Sequence, residues 1–250
     1  MSKVVVITGS SGELGSELVN IFNADGYLII GLDKLPMTKN YNKRFNFVEA
    51  DLSVLPKDYK YRISVIESIK ELIPDDVHKI ILINNAAQQI LNEFDDIKYE
   101  DWDKSFAVNA LSPFFLTQGL FEQLKHAQGH VLNISSIHAK LTKSSFTCYA
   151  ASKRALESIT KSLALEISKH GVSVNAVAPA AINTKMLKSG FKNDKNKLDQ
   201  LNSFHPSNSI GEVVDTAQFI KLIAENKNGF LTGSIIELNG GISSRLHDPD

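Results

Sequence analysis

Short runs of β-branched residues alternate along this chain with segments of helical period, and that alternation leaves few folds open. Val4-Val5-Val6-Ile7 is apolar without interruption, the pattern of a strand buried on both faces. Residues 13–23 follow at helical spacing, with Leu14, Leu18, Val19 and Phe22 on one face and Gly26 as the stop. Six more strands are predicted over 27–32, 45–49, 80–83, 130–134, 172–177 and 234–238. Helices are predicted between them over 58–72, 101–124, 149–169 and 211–224, with Pro113 as a kink in the second of these. Strict alternation predicts one domain over residues 1–250. Its architecture is a three-layer α/β fold, a doubly wound seven-stranded parallel sheet with helices on both faces. Residues 185–208, rich in Lys, Asn, Asp and Ser, are too long for an ordinary connection and are expected to form a mobile lid over the substrate.

Composition excludes several classes of function. Lys and Arg number 27 against 28 Asp and Glu, so no basic excess exists to recruit nucleic acid or an anionic membrane. The apolar runs are too short to cross a bilayer. A lone cysteine, Cys148, rules out an internal disulfide and reads as a packing residue. His126 and His130 stand four apart, but Gly129 interrupts them and no third ligand is evident, so no metal is expected. Met1-Ser2-Lys3-Val4 leads straight into a strand with no signal-peptide layout, and the expected compartment is the cytoplasm.

Thr8-Gly9-Ser10-Ser11-Gly12-Glu13-Leu14-Gly15 joins the first strand to the first helix. Glycines there permit a tight turn and a close backbone approach, and the helix N-terminus offers N–H groups to a pyrophosphate. Gly15 lets the helix pack closely on the sheet. Asp33 ends the second strand, where an acid hydrogen-bonds an adenosine ribose diol and repels a 2′-phosphate. NAD is therefore expected over NADP, although Lys34 is within reach of a phosphate. Asp51-Leu52 after the third strand marks an adenine site. Asn84-Asn85-Ala86-Ala87 after the fourth lies at the carboxyl edge where ligands collect.

Tyr149 and Lys153 stand four apart on one helical face, Ser136 follows the fifth strand, and Asn109 lies in the preceding long helix. With these residues the chain resembles the short-chain dehydrogenase/reductase family, in its single-domain branch of about 250 residues, from Lys3 to Gly241. Asn175-Ala176-Val177-Ala178-Pro179, Leu231-Thr232-Gly233 and Asn239-Gly240-Gly241 complete the likeness. The resemblance implies a Rossmann fold and hydride transfer between a nicotinamide cofactor and a secondary alcohol or ketone.

It also implies roles. Tyr149 exchanges a proton with the carbinol oxygen, Lys153 lowers the phenol pKa and holds the nicotinamide ribose, Ser136 donates to the substrate oxygen, and Asn109 holds a water linking Lys153 to solvent. Bringing a phenol from ~10 to ~7 takes ~4 kcal/mol. One ammonium at ~4 Å supplies about that at an effective dielectric of ~20. The cofactor site is implied at Gly9, Ser11, Gly12, Glu13 and Leu14 of the turn. Beyond the turn it takes in Asp33, Asp51, Leu52, Asn85, Ala86 and Ala87, then Tyr149, Lys153, Pro179, Ile182 and Thr184.

Three positions depart from the family pattern. Glu13 replaces the middle glycine of TGxxxGxG, giving a TGxxGxxG spacing similar to the longer sugar-nucleotide-modifying branch, for whose added domain 250 residues leave little room. Its charge repels a pyrophosphate unless turned to solvent. Ala87 and Ala180 each replace a glycine. Gln88, Gln89, His138 and Ala180 are expected to face the substrate; the five lysines over 185–197 read as the solvated face of the mobile lid, with attraction of an anionic substrate as the alternative. The long helices 101–124 and 149–169 resemble those that pair copies in this family, so a homodimer or homotetramer is expected. A nucleotide-sensing binding protein of the same fold is the alternative function. The intact Asn109, Ser136, Tyr149 and Lys153 favour turnover.

Overall fold

The computed structural model describes residues 2–36, 41–191, 194–226 and 228–245. Strands β1 (Ser2–Thr8), β2 (Leu28–Asp33), β3 (Phe45–Glu49), β4 (Val77–Asn84), β5 (His130–Ile134), β6 (Ser173–Pro179) and β7 (Ile235–Leu238) form one sheet. Their order is β3-β2-β1-β4-β5-β6-β7, every pair parallel. The helices are α1 (Glu13–Ala24), α2 (Tyr59–Glu71), α3 (Tyr99–Phe106), α4 (Ser112–Gly119), α5 (Phe121–His126), α6 (Thr147–Ile167), α7 (Lys185–Gly190), α8 (Lys195–Phe204) and α9 (Val213–Ala224). The doubly wound seven-stranded α/β fold is as the alternation predicts.

Period-two geometry sends neighbouring residues of a strand to opposite faces, and both faces are apolar here. Val4 and Val6 join Val65, Ile69, Leu116 and Leu124 in one core beneath α2, α4 and α5. Val5 and Ile7 join Leu18, Phe22, Ala217 and Ile220 in the other, beneath α1 and α9. The chain winds outward from β1 to β3, returns to β4 beside β1, and continues to β7. That reversal leaves a crevice at the carboxyl ends of β1 and β4, where ligands settle in such sheets.

Residues 101–124 are not one helix. A π-helical turn, Ala107–Leu111, separates α3 from α4, and a second break falls at Leu120. Pro113 explains the first break. It has no N–H for the carbonyl four residues back, that of Asn109, and its ring clashes there, so the helix takes an extra residue to re-register. Residues 185–208, the expected lid, contain α7 and α8. The Asp194 carboxylate starts α8 by accepting the Asn196 and Lys197 N–H groups. Residues 192 and 193 of the expected lid lie outside the described residues.

α1 crosses directly over the turn that follows β1. A Cβ on Gly15 would stand 2.0 Å from the Gly9 carbonyl oxygen, whereas one on Gly12 would stand 3.4 Å from it. A backbone oxygen cannot move aside as a side chain can. Gly15→Ala is expected to lower the unfolding free energy by about 1–3 kcal/mol in urea titration, while Gly12→Ala stays close to the parent. Equal midpoints for the two variants would contradict this account of the turn.

Candidate active site

The turn after β1 is fastened on two sides. Gly9 and Ser10 donate their N–H groups to Leu32 O of β2, at 2.8 and 3.2 Å. On the other side, the Thr8 hydroxyl accepts the N–H groups of Asn85 and Ala86, both at 3.0 Å. Asn85 Nδ2 donates to the carbonyls of Thr8 and Gly9. Gly9 takes a left-handed conformation (φ 67°), and an added Cβ would meet Ala86 Cα at 2.9 Å. No side chain caps the N-terminus of α1.

A cavity of about 620 Å³ opens over this turn. Gly9, Gly12, Glu13 and Leu14 line its floor, and Asp33, Asp51 and Leu52 one end. Asn85, Ala86, Ala87, Gln88 and Gln89 form a wall, with Tyr149 and Thr184 at the other end. The Asp33 carboxylate is fixed by the N–H groups of Ser11 (3.1 Å) and Leu35 (3.2 Å). Asp51 is desolvated, yet its bonds from the Ser53 N–H and hydroxyl hold its carboxyl below the usual range. Volume, an uncapped helix N-terminus, close-approach glycines and a fixed acid at one end fit a dinucleotide.

β5 and α6 bring the predicted catalytic residues together. Lys153 is 1% exposed, and its ammonium donates to Ile134 O at 2.7 Å. It lies 5.7 Å from the centre of the Tyr149 ring. Tyr149, 8% exposed, has the Ser136 side chain beside it, close enough to pull the phenol down. Asn109 is fully buried in the π-helical turn. Its amide donates to Gln88 O and to Ser152 Oγ, both at 2.9 Å, and accepts the Gln88 N–H at 2.7 Å.

The acidic phenol expected from the sequence is not what these side chains alone produce. Burial pushes the Tyr149 phenol up, with only its Ser136 bond pulling it down. Burial also brings Lys153 down to about 7. Exclusion of water penalises phenolate and ammonium alike, and the ammonium is aimed at Ile134 O rather than at the phenol oxygen.

Of the other predicted residues, Ser11, Pro179, Ile182 and Ala180 stand outside the cavity lining, as do Asn109, Ser136 and Lys153. Ser136 lines a separate cavity of about 180 Å³ behind the site. Asn85, expected to meet the cofactor, lines the cavity but directs its amide at the turn itself. Glu13, expected to face solvent or to repel a phosphate, accepts the Lys185 N–H through Oε2 at 2.5 Å. His138 stacks on Phe146, ring centres 4.1 Å apart, and packs edge-on to Tyr149. Burial, with Lys143 nearby, brings it down to about 4. Cys148 is buried, as a packing residue is. Lys104 and Val108 line the cavity and were not legible in the sequence, although their four-residue spacing puts them on one helical face.

The model of the short chain dehydrogenase family matches residues 3–195. The chain belongs to that family. This short chain dehydrogenase is 29% identical over 244 residues to the uncharacterized oxidoreductase C922.06 of Schizosaccharomyces pombe, covering 96% of this chain and 90% of that one. It is 33% identical over 145 residues to the (3R)-3-hydroxyacyl-CoA dehydrogenase of Homo sapiens, a match over 57% of this chain that spans 55%, about half, of the human protein. Among solved structures it superposes on ElxO with NADP bound at a TM-score of 0.86 and 25% identity, over 98% of this chain and all of that one. No helix among the described residues is long and apolar enough to cross a membrane.

The buried ammonium makes a prediction about stability. Lys153 has its folded pKa near 7, below the 10.5 of the free side chain, so the unfolded chain binds more protons between these values. The cost of burying the charge is complete below pH 7 and is relieved as pH rises toward 10. Lys153→Met removes that cost and orphans one carbonyl, which costs ~1–3 kcal/mol. The variant is expected to be about 2 kcal/mol more stable than the parent at pH 6, with the gain gone by pH 10, in denaturant titrations at both pH values.

Proposed function

We propose that this short chain dehydrogenase transfers a hydride between NAD and a secondary alcohol or ketone, with Tyr149 as the proton donor and acceptor. One observation carries the reading. Tyr149, buried and beside Ser136, is also a wall of the cavity that the glycine turn floors. The proton-transfer group thus faces the place suited to a dinucleotide. When bound, the nicotinamide supplies or accepts the hydride.

The chain's own residues do the rest. The Tyr149 hydroxyl takes or returns the carbinol proton. The Ser136 hydroxyl donates to the same oxygen and stabilises its developing charge. Lys153, charged below about pH 7, offers its remaining N–H groups to a ribose. Asn109 fixes the cleft wall through both backbone groups of Gln88, and this reading gives it the water that connects Lys153 to solvent. Pro179 ends β6 and Ile182 and Thr184 follow it, and this reading puts all three at the nicotinamide end. His138 and Ala180 stand with Gln88 on the substrate side. The human relative's name, a hydroxyacyl-CoA dehydrogenase, supports chemistry at a CH–OH carbon, and the NADP in ElxO supports a nicotinamide cofactor. NAD is favoured because Asp33 is held at the cavity end by two N–H groups. Pairing of two copies suits exposed Leu165 on α6.

Tyr149→Phe is expected to fold, to bind the reduced dinucleotide with parent affinity by nicotinamide fluorescence, and to lose at least ~10²-fold in kcat on a panel of alcohols and ketones. Retained turnover would overturn the assignment. A parent chain that binds the dinucleotide but turns over nothing would make it a nucleotide-sensing protein instead. With both cofactors compared, kcat/KM is expected to favour NAD by ten-fold or more, about 1.4 kcal/mol in transition-state binding. Asp33→Ser should narrow that ratio.

A further inference from the structure

α6 presents a buried polar residue to the end of β5 at successive turns, and each finds a partner. Asn133 Nδ2 donates to Thr160 Oγ1 at 2.9 Å, and Lys153 donates to Ile134 O at 2.7 Å. Ser135 Oγ donates to Glu157 Oε1 at 3.1 Å, and the Ser136 side chain stands beside Tyr149, near enough to pull its phenol down. Tyr149, Lys153 and Glu157 repeat every four residues on one helical face. The first two belong to the proposed chemistry. Glu157 does not line the dinucleotide cavity, yet it is only 5% exposed.

A carboxylate withdrawn from water pays for its desolvation only through good partners, and an apolar residue of the same shape often serves stability as well. Glu157 has two partners. Oε2 accepts from Arg154 at 3.1 Å, and that arginine is largely exposed. Oε1 accepts from Ser135, the residue before Ser136. The cavity of about 180 Å³ behind the site is lined by Ser136, Ile137 and Glu157. Ser136 therefore has room on its far side. The Ser135 N–H, bonded to Val177 O at 2.8 Å, sets the height of this segment along the sheet. The Ser135 side chain sets its distance from α6.

We propose that Glu157 is a positioning residue: by accepting the Ser135 hydroxyl it keeps Ser136 against Tyr149 and out of the cavity behind. The proposal rests on the reaction described above for its effect on rate, but not for its effect on geometry. Glu157 touches neither the substrate nor the cofactor region. Its influence passes through one serine to the next.

The test uses the full chain with tyrosine carrying ¹³C at the hydroxyl-bearing carbon. The Tyr149 signal is assigned by its loss in Tyr149→Phe. Ser136→Ala marks where that signal moves when the serine bond is gone. Glu157→Leu and Ser135→Ala are expected to move it the same way. Glu157→Gln, which keeps an acceptor for Ser135, should leave it in place. In turnover, Glu157→Leu and Ser135→Ala should each lower kcat about 10- to 100-fold with little change in KM, and the double variant should be no slower than the slower single. Glu157→Gln should stay within about threefold. An unmoved Tyr149 signal in Ser135→Ala, additive losses in the double variant, or a Glu157→Gln as slow as Glu157→Leu would overturn the proposal. Should Glu157→Leu not fold, as judged by its melting curve, Ser135→Ala and Glu157→Gln decide alone. A parent that turns over no alcohol or ketone, with the Tyr149 signal still shifting as described, refutes the proposed reaction and leaves the positioning role standing.

Discussion

A lysine ammonium cut off from water, with the carbonyl of Ile134 as its recorded partner, is the interaction around which the site is organised. A free charge there would be untenable, so the carbonyl at the end of β5 and the second turn of α6 must stay in register. The same contact places Tyr149, one turn earlier, beside Ser136. Because the side-chain period of a helix is close to four residues, fixing Lys153 fixes the residues before and after it. Three links between one helix and one strand end follow from a single buried charge.

The second constraint is the reversal of strand order at β1. Two strands leave their ends beside one another, and the turn after one is riveted to the loop after the other by Thr8 and Asn85. Asn85 thus works as a structural bracket. At the turn itself Gly9, Gly12 and Gly15 leave backbone facing the cavity, which is what close approach to a pyrophosphate requires. The two cores, one on each face, carry the stability that lets this edge remain open.

Much of this was legible in the residues. Uninterrupted Val and Ile runs announced buried parallel strands, and the glycines, Tyr149 and Lys153 announced the site. Strand ends were less legible, since pairing continues beyond the apolar run: β6 extends through Ala178 and Pro179, which pair with Glu237 and Leu238. α8 escaped notice because its apolar stripe is short, only Leu198, Leu201 and Phe204, and none of its residues is buried. The division of residues 101–124 hinged on Pro113, whose kink was foreseen but whose cost falls four residues earlier, at Asn109. Lys104 and Val108 join the site only through topology. The rise of the phenol and the fall of the ammonium depend on burial, which spacing alone does not report.

Glu13 gives the departure from the family's glycine pattern a mechanical meaning. Its carboxylate reaches across 172 positions of chain to the first N–H of α7. The floor of the cleft and the segment above it are therefore buttoned together by an internal anion. That oxygen already supplies the negative charge a helix start favours. A diphosphate seated at the uncapped start of α1 would therefore lie beside a carboxylate already committed to α7.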